Sequence, residues 1–188
     1  HRINRRQRQM CIRDSDYTAS FSENVIDNFV DMYSQGLTPN PCVECNRSVK
    51  FDHFIDQAKK LNCEKVATGH YAKIVKNSDI FELHKADYLD KDQSYVLHML
   101  DSEKLAQIEF PLGTISKPEV RQIAATLGLK TAFKKDSQDI CFVGKKDYRN
   151  FVSKRIDVSS KGLIVDKYEN EVGTCLLYTS PSPRDGQI

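Results

Sequence analysis

The chain has no apolar run near the ~20 residues that a bilayer-spanning helix needs, and no basic start followed by a short apolar core that would mark a secretory leader. No segment is expected to cross a membrane. Low-complexity stretches are missing as well. With 39% hydrophobic residues in 188, a packed core of one domain or one and a half is expected, not disorder. A surplus of one charge is also lacking, since 28 Lys+Arg stand against 26 Asp+Glu.

Even the small +2 excess sits at the ends. Met10–Ser15 back-translates as ATG TGT ATA AGA GAC AG, and Cys175–Ser180 as TGT CTC TTA TAC ACA TCT. The two strings are reverse complements over almost their whole length. Unrelated protein segments have no physical reason to be so related, and the strings resemble the translated end of a transposon-based sequencing adapter. Arg5–Gln9 and Pro181–Asp185 fit the same adapter. Residues 1–15 and 175–188 are therefore set aside as scars. They carry six basic and two acidic residues, so 16–174 is acidic by two. The basic N-terminal arm then gives no argument for nucleic acid.

Four cysteines remain: Cys42, Cys45, Cys63 and Cys141. Without a secretory signal they suggest a reducing compartment. There a C-x-x-C is more often a metal or redox site than a disulfide staple. The most unusual stretch is Thr38-Pro39-Asn40-Pro41-Cys42-Val43-Glu44-Cys45-Asn46. Two prolines one residue apart forbid a regular helix and push the residues before them extended. A rigid loop presenting two thiols is expected, either as chemistry or as a proline-bracketed turn with buried cysteines.

Around it the chain alternates helix and strand. Phe21, Val25, Ile26, Phe29, Val30 and Tyr33 recur at helical spacing before Gly36. Val49, Phe51, Phe54, Ile55, Ala58 and Leu61 do so again, with Cys63 just beyond as an expected buried structural thiol. Lys65–Thr68 forms a short buried strand ending in Gly69-His70-Tyr71. In α/β sheets ligands sit at the carboxyl ends of strands, so Gly69 permits close approach and His70 is either a phosphate or base contact or a structural histidine. Ala72–Val75 and Ile80–His84 make a hairpin.

In Asp90-Lys91-Asp92-Gln93-Ser94-Tyr95, Asp90 or Asp92 could cap a helix carrying Val96, Leu97 and Leu100. The same set of cation, carboxylate and amide suits RNA contacts. Ser116-Lys117-Pro118-Glu119 is a capping box opening a helix through Val120, Ile123, Ala124 and Leu127 to Gly128, with no chemistry on it. Lys134–Gly144 surrounds Cys141 with lysines, which lower a thiol pKa, but also with Ile140 and Phe142, which suit inert core. Tyr148, Phe151 and Val152 suggest a short helix, and Gly162–Asp166 a strand and turn.

Thr38–Phe51, Ala67–Tyr71, Lys91–Tyr95, Phe110–Leu129 and Lys135–Gly144 together resemble one family, the tRNA-specific 2-thiouridylases (MnmA in bacteria, TrmU in mitochondria). T-P-N-P-x-x-x-C-N-x-x-x-K-F, A-T-G-H-Y, K-D-Q-S-Y and D-S-x-x-I-C-F-x-G are jointly very specific, in order over nearly all of 16–174. The resemblance implies an α/β chain: the C-terminal part of an adenine-nucleotide alpha-hydrolase-like (PP-loop, Rossmann-like) domain at 16–84. A small, mostly helical or mixed central tRNA-binding domain follows at 85–158, and the start of a truncated β-barrel at 159–174.

It also implies an ATP-dependent sulfurtransferase that activates C2 of the wobble uridine in tRNAs for Lys, Glu and Gln and replaces its oxygen with sulfur. By resemblance, Cys141 carries a persulfide and Cys45 is the second thiol, the two ending as a Cys45–Cys141 disulfide. Asn40, Pro41 and Cys42 match the target-base loop, Gly69 a nucleotide contact, and His70, Lys91, Asp92 and Gln93 tRNA contacts. ATP with Mg²⁺, a persulfide donor protein, a monomeric state and a cytoplasmic location (mitochondrial for a eukaryotic homologue) follow from the same likeness. Two departures stand out. Some members carry aspartate, proposed as an acid/base, where this chain has Cys42. The family's S-G-G-x-D-S ATP loop and its C-terminal barrel are lacking, so this chain alone is expected to be inactive. A rival reading makes Cys42, Cys45 and Cys141 three soft ligands of zinc or a [4Fe-4S] cluster in a non-catalytic module docking RNA.

Overall fold

The computed structural model describes residues 14–134, 140–143, 148–156 and 161–176. Of the stretches set aside at 1–15 and 175–188, residues 1–13 and 177–188 lie outside them. Two long helices lead the fold. Helix α1 is continuous through Thr18–Phe21, Ser22–Asp27 and Asn28–Ser34, its middle portion π-helical. It stops where expected, at Gly36 with φ 75°.

Helix α2 runs through Pro41–Glu44, Cys45–Asp52 and His53–Lys60, again π-helical in the middle. This corrects the expected loop at 38–46. The pre-proline restriction holds through Asn40, which is extended (φ −111°, ψ 90°). Beyond it the restriction ends, because a proline at the first helical position has no N–H to lose. Pro41 therefore starts a helix, and both thiols lie on it.

Phe51, Ile55 and Ala58 on α2 enter the main core with Val66, Ala72, Val96, Leu97, Leu100, Leu105 and Ile108. After α2, Asn62 turns the chain with φ 55° and throws Cys63 outward. Cys63 is exposed, not buried, and its Sγ reaches only the Leu61 carbonyl at 3.9 Å.

Strand β1 (Val66–Ala67) pairs in parallel with β4 (Ile108–Glu109). β2 (Ala72–Asn77) and β3 (Ile80–Lys85) form the expected hairpin, with Ser78 at φ 55° in a turn two residues long. The helix expected around Tyr95–Leu100 is only a 3₁₀ turn, Ser94–Val96. Its Val96 carbonyl accepts from Asn46 Nδ2 (3.1 Å) across the core instead of from a helical N–H. The short α3 (Ser102–Leu105), capped by Asp101, leads into β4.

Helix α4 (Lys117–Thr126) has the full capping box and ends at Gly128, φ 66°. None of its residues is buried, and Ile123 and Leu127 are about half exposed. The apolar stripe that suggested packed scaffold is thus uncovered among the described residues. The box forms the helix locally whether or not a partner covers it. A second cluster joins Phe29 and Val30 of α1 to Val152 of α5 (Tyr148–Ser153). β5 (Lys161–Val165) and β6 (Glu171–Leu176) close the described chain as an antiparallel pair. β6 runs on through Cys175 and Leu176, inside the stretch set aside as a scar.

Gly113 is the tightest backbone approach. Its carbonyl accepts from the Asp87 N–H at 2.9 Å, and a Cβ there would lie 2.1 Å from the Ala72 carbonyl oxygen. Backbone on both sides cannot give way cheaply. Gly113→Ala should cost about 2 kcal/mol or more by overpacking. Gly128→Ala, with nothing near but a positive φ, should cost about 1 kcal/mol. Urea unfolding of both variants checks this; equal losses would contradict the steric account.

Candidate functional site

The start of α2 carries the first half of the site. Asn40 is the N-cap residue, yet its side chain makes no capping hydrogen bond. Pro41 is buried, Cys42 is exposed, and Cys45 is half-buried one turn further on. Glu44 is held to the flank by Arg47 at 2.6 Å. Asn46 is fully buried, and its Oδ1 has no hydrogen-bond partner. The stretch Cys45–Asp52 is π-helical. Its i→i+5 bonding makes residues five apart neighbours along one turn, so Lys50 follows Cys45 by one turn.

The second half arrives from almost a hundred residues downstream. Phe142 sits among aromatic rings, with centroids 5.8 Å from Phe21, 5.3 Å from Phe29 and 5.3 Å from Phe151. Ile140 packs on the same cluster. These two anchors leave Cys141 exposed between them, which corrects the inert-core alternative. α1 meanwhile packs on α2, and so Cys141 is carried towards Cys45. Its charge reaches Cys45, as does that of Cys42. Cys42, Cys45 and Cys141 all carry free thiols. Lys135 and Asp136–Asp139 lie outside the described residues.

Burial pushes the Cys45 thiol above its ordinary range. The Lys50 ammonium pulls it back down, while Cys141, Cys42 and Glu44 add to the rise. Lys50 was missed as a site residue. Its only signal was its place in the C-N-x-x-x-K-F string, five residues after Cys45. That spacing faces away on an α-helix and comes into line only on a π-helix.

β1 delivers the third part. A Cβ on Gly69 would meet only Leu112 Cδ1, at an ordinary 3.7 Å. The fold therefore does not require glycine there. His70 is buried between the rings of Phe51 (5.8 Å) and Phe110 (6.0 Å), with Nδ1 2.8 Å from Thr68 Oγ1. Asp92 accepts from the Ala86 N–H (2.8 Å) and from the Ser94 hydroxyl (2.7 Å). Gln93 Oε1 accepts from the Tyr71 N–H (3.0 Å). Both side chains thus tie the hairpin to the Gly69 turn; the 3₁₀ turn has Gln93 as its N-cap residue with no side-chain cap, and Asp92, not Asp90, accepts from the Ser94 N–H at 3.3 Å. Lys91 is half-buried beside them.

Among the described residues no three Cys, His, Asp or Glu side chains gather to hold a metal ion. The zinc or iron–sulfur reading of Cys42, Cys45 and Cys141 is therefore not supported. One helical turn keeps Cβ atoms about 5–6 Å apart, and Cys42 is turned to solvent while Cys45 is half-buried. No described helix is long and apolar enough to cross a membrane.

A parallel strand pair with a glycine at its end, beside a helix start that bears two free thiols, defines an α/β domain. Residues 6–145 match the family described as tRNA methyl transferase HUP domain. The chain belongs to that family. It is 48% identical over 162 residues to a tRNA-specific 2-thiouridylase MnmA of Chloroflexus aurantiacus, covering 84% of this chain and 45% of that protein. For the namesake of Leptospira interrogans the figures are 48% over 135 residues, 72% and 36%. For that of Rickettsia peacockii they are 46% over 159 residues, 84% and 44%. The chain spans less than half the length of these curated relatives.

Burial pushes the His70 pKa down from 6.5 to about 4, with the Lys50 charge adding to it. Between those values the unfolded chain takes up a proton that the folded chain refuses. The corresponding stability is complete above pH 6.5 and declines as pH falls towards 4. Wild type should lose about 1 kcal/mol between pH 7.5 and 5.5 from this group. His70→Gln should lack that loss in urea titrations at the two pH values; an unchanged slope would place the ring in solvent.

Proposed function

We propose that the chain is part of a tRNA-uridine 2-sulfurtransferase that makes 2-thiouridine at the wobble position. The observation that carries this reading is a pair of free thiols, Cys45 half-buried on α2 and Cys141 exposed between residues anchored on α1, in a family whose relatives are named 2-thiouridylases. The chemistry needs two thiols. Cys141 holds the incoming sulfur as a persulfide, received from a donor protein. The Cys45 thiolate attacks the Cys141 sulfur, the persulfide S–S bond breaks, and sulfide leaves for C2 of the uridine. A Cys45–Cys141 disulfide remains, which an external thiol reductant reopens.

ATP, with Mg²⁺, supplies the leaving group at C2, and Gly69 lines its site. Asn40, Pro41 and Cys42, at the start of α2, meet the target base. The uncommitted Asn40 amide supports that role, since a capping bond would have engaged it. Lys91, Asp92 and Gln93 form the tRNA-facing rim, and His70 supports it from beneath. In this reading 16–84 completes a PP-loop ATPase domain, 85–158 is the central tRNA-binding domain, and β5–β6 opens a C-terminal β-domain. The substrates are tRNAs for Lys, Glu and Gln, and the enzyme is a cytoplasmic monomer.

The full-length protein tests this. Cys45→Ser and Cys141→Ser should each lower 2-thiouridine, measured by mass spectrometry of digested tRNA, by at least about a hundredfold, as expected for loss of a covalent step. Cys63→Ser, exposed and outside the site, should leave it unchanged. Undiminished product from either of the first two variants overturns the two-thiol mechanism.

A further inference from the structure

The two-thiol chemistry uses only half of the C-x-x-C, since Cys45 acts in it and Cys42 does not. The prolines that suggested a loop instead start a helix, and a C-x-x-C that opens a helix is the usual seat of disulfide exchange. The first turn of α2 is tight. The Val43 N–H donates to the Asn40 carbonyl, three residues back, at 3.1 Å, closer than the Glu44 N–H four residues away at 3.4 Å. The Cys45 N–H donates to the carbonyls of both Cys42 and Pro41. Bonds spanning three residues draw a turn towards 3₁₀ geometry, where side chains three apart eclipse.

An ordinary helical turn holds such Cβ atoms about 5–6 Å apart, and a disulfide takes about 3.5–4.5 Å. The closure needed is small, and it falls in the first turn, whose N–H groups have no helical acceptor to lose. Cys42 is exposed and Cys45 half-buried, so in a disulfide between them the Cys42 sulfur is the one a soluble reductant reaches. A metal needs three sulfurs at one point, whereas exchange needs them only two at a time.

We propose that Cys42 is a third catalytic cysteine, a resolving thiol: its thiolate attacks the Cys45 sulfur of the Cys45–Cys141 disulfide, Cys141 leaves as a thiolate, and an external dithiol reduces the Cys42–Cys45 disulfide that results. This rests on the sulfurtransferase reading. One S–S bond forms as one breaks, and the proton given up by Cys42 is matched by the one Cys141 takes up. The dithiol then supplies two electrons and becomes a disulfide itself, returning Cys42 and Cys45 to thiols. Burial pushes the Cys45 thiol up, which makes it a poor leaving group and directs attack to its own sulfur. Cys141 is thereby released for the next persulfide before the reductant arrives. The step follows departure of sulfur to the base, so it does not compete with a contact between Cys42 and that base.

The test oxidises the full-length protein with one equivalent of diamide, blocks the remaining thiols with iodoacetamide and maps the disulfide by peptide mass spectrometry. In wild type most of it should join Cys42 to Cys45, with Cys141 alkylated. Cys42→Ser should hold a Cys45–Cys141 disulfide instead, and dithiothreitol should open it about tenfold more slowly than the wild-type pair. A Cys45–Cys141 disulfide in wild type with Cys42 alkylated, or equal rates of opening, overturns the resolving role and leaves the two-thiol reading intact. Absence of a Cys45–Cys141 disulfide in Cys42→Ser overturns that reading, and the resolving role with it.

Discussion

The burial of Phe51 is the constraint from which the rest follows. Its side chain has no exposed surface and packs edge-on to Phe110 and against His70. Removing such a ring from water is worth about 2–3 kcal/mol. More important is what it aligns. Phe51 joins the inner face of α2 to the β1–β4 pair and to the Gly69 turn. The start of α2, the strand end and the 92–96 segment are therefore held in one frame. Asn46 extends the frame by its bond to the Val96 carbonyl.

A second, separate cluster supplies the other half of the site. Phe142 and Ile140 are held on α1 by aromatic and aliphatic contacts with no covalent link. Cys45 thus stands on the helix that carries one hydrophobic cluster and Cys141 between two residues of the other, and both thiols are free. That suits the disulfide proposed to form and break between them. Had the bond itself been the structural tie, reduction would loosen the fold at each turnover.

Charge at Cys45 is balanced narrowly. Burial and neighbouring acidic groups oppose ionisation of Cys45, and a single cation favours it. The same cation, with burial, keeps His70 neutral. A neutral histidine under the strand end adds no positive charge to the room above Gly69. The long-range order of these groups comes from helix register, since none of them is fixed by an ion pair in the site.

Much of this was legible in the chain. The 3.6-residue periodicities marked both long helices, and the alternation at 72–85 marked the hairpin. Ser116 with Glu119 marked the start of α4, because caps and turns are local chemistry. The positions of Cys45 and Cys141 in the family's pattern were legible through motifs quoted residue by residue. Other features were not. Proline rules on Pro39 and Pro41 suggested a loop, but position within the helix decides what a proline does. Cys63 and the stripe on α4 looked interior, yet apolar spacing shows which face could be buried and not whether a partner exists. Cys141 between two apolar residues could have been core or reactive. By itself, then, the sequence determined most of the element types and the helix ends at Gly36 and Gly128. Only the tertiary structure decided that Cys141 stands exposed between buried anchors, that Cys45 is half-buried on a helix, and that Asp92 and Gln93 brace the fold. Those outcomes depend on packing between distant segments and on a π register whose hydrogen bonds leave no periodic mark in the residues.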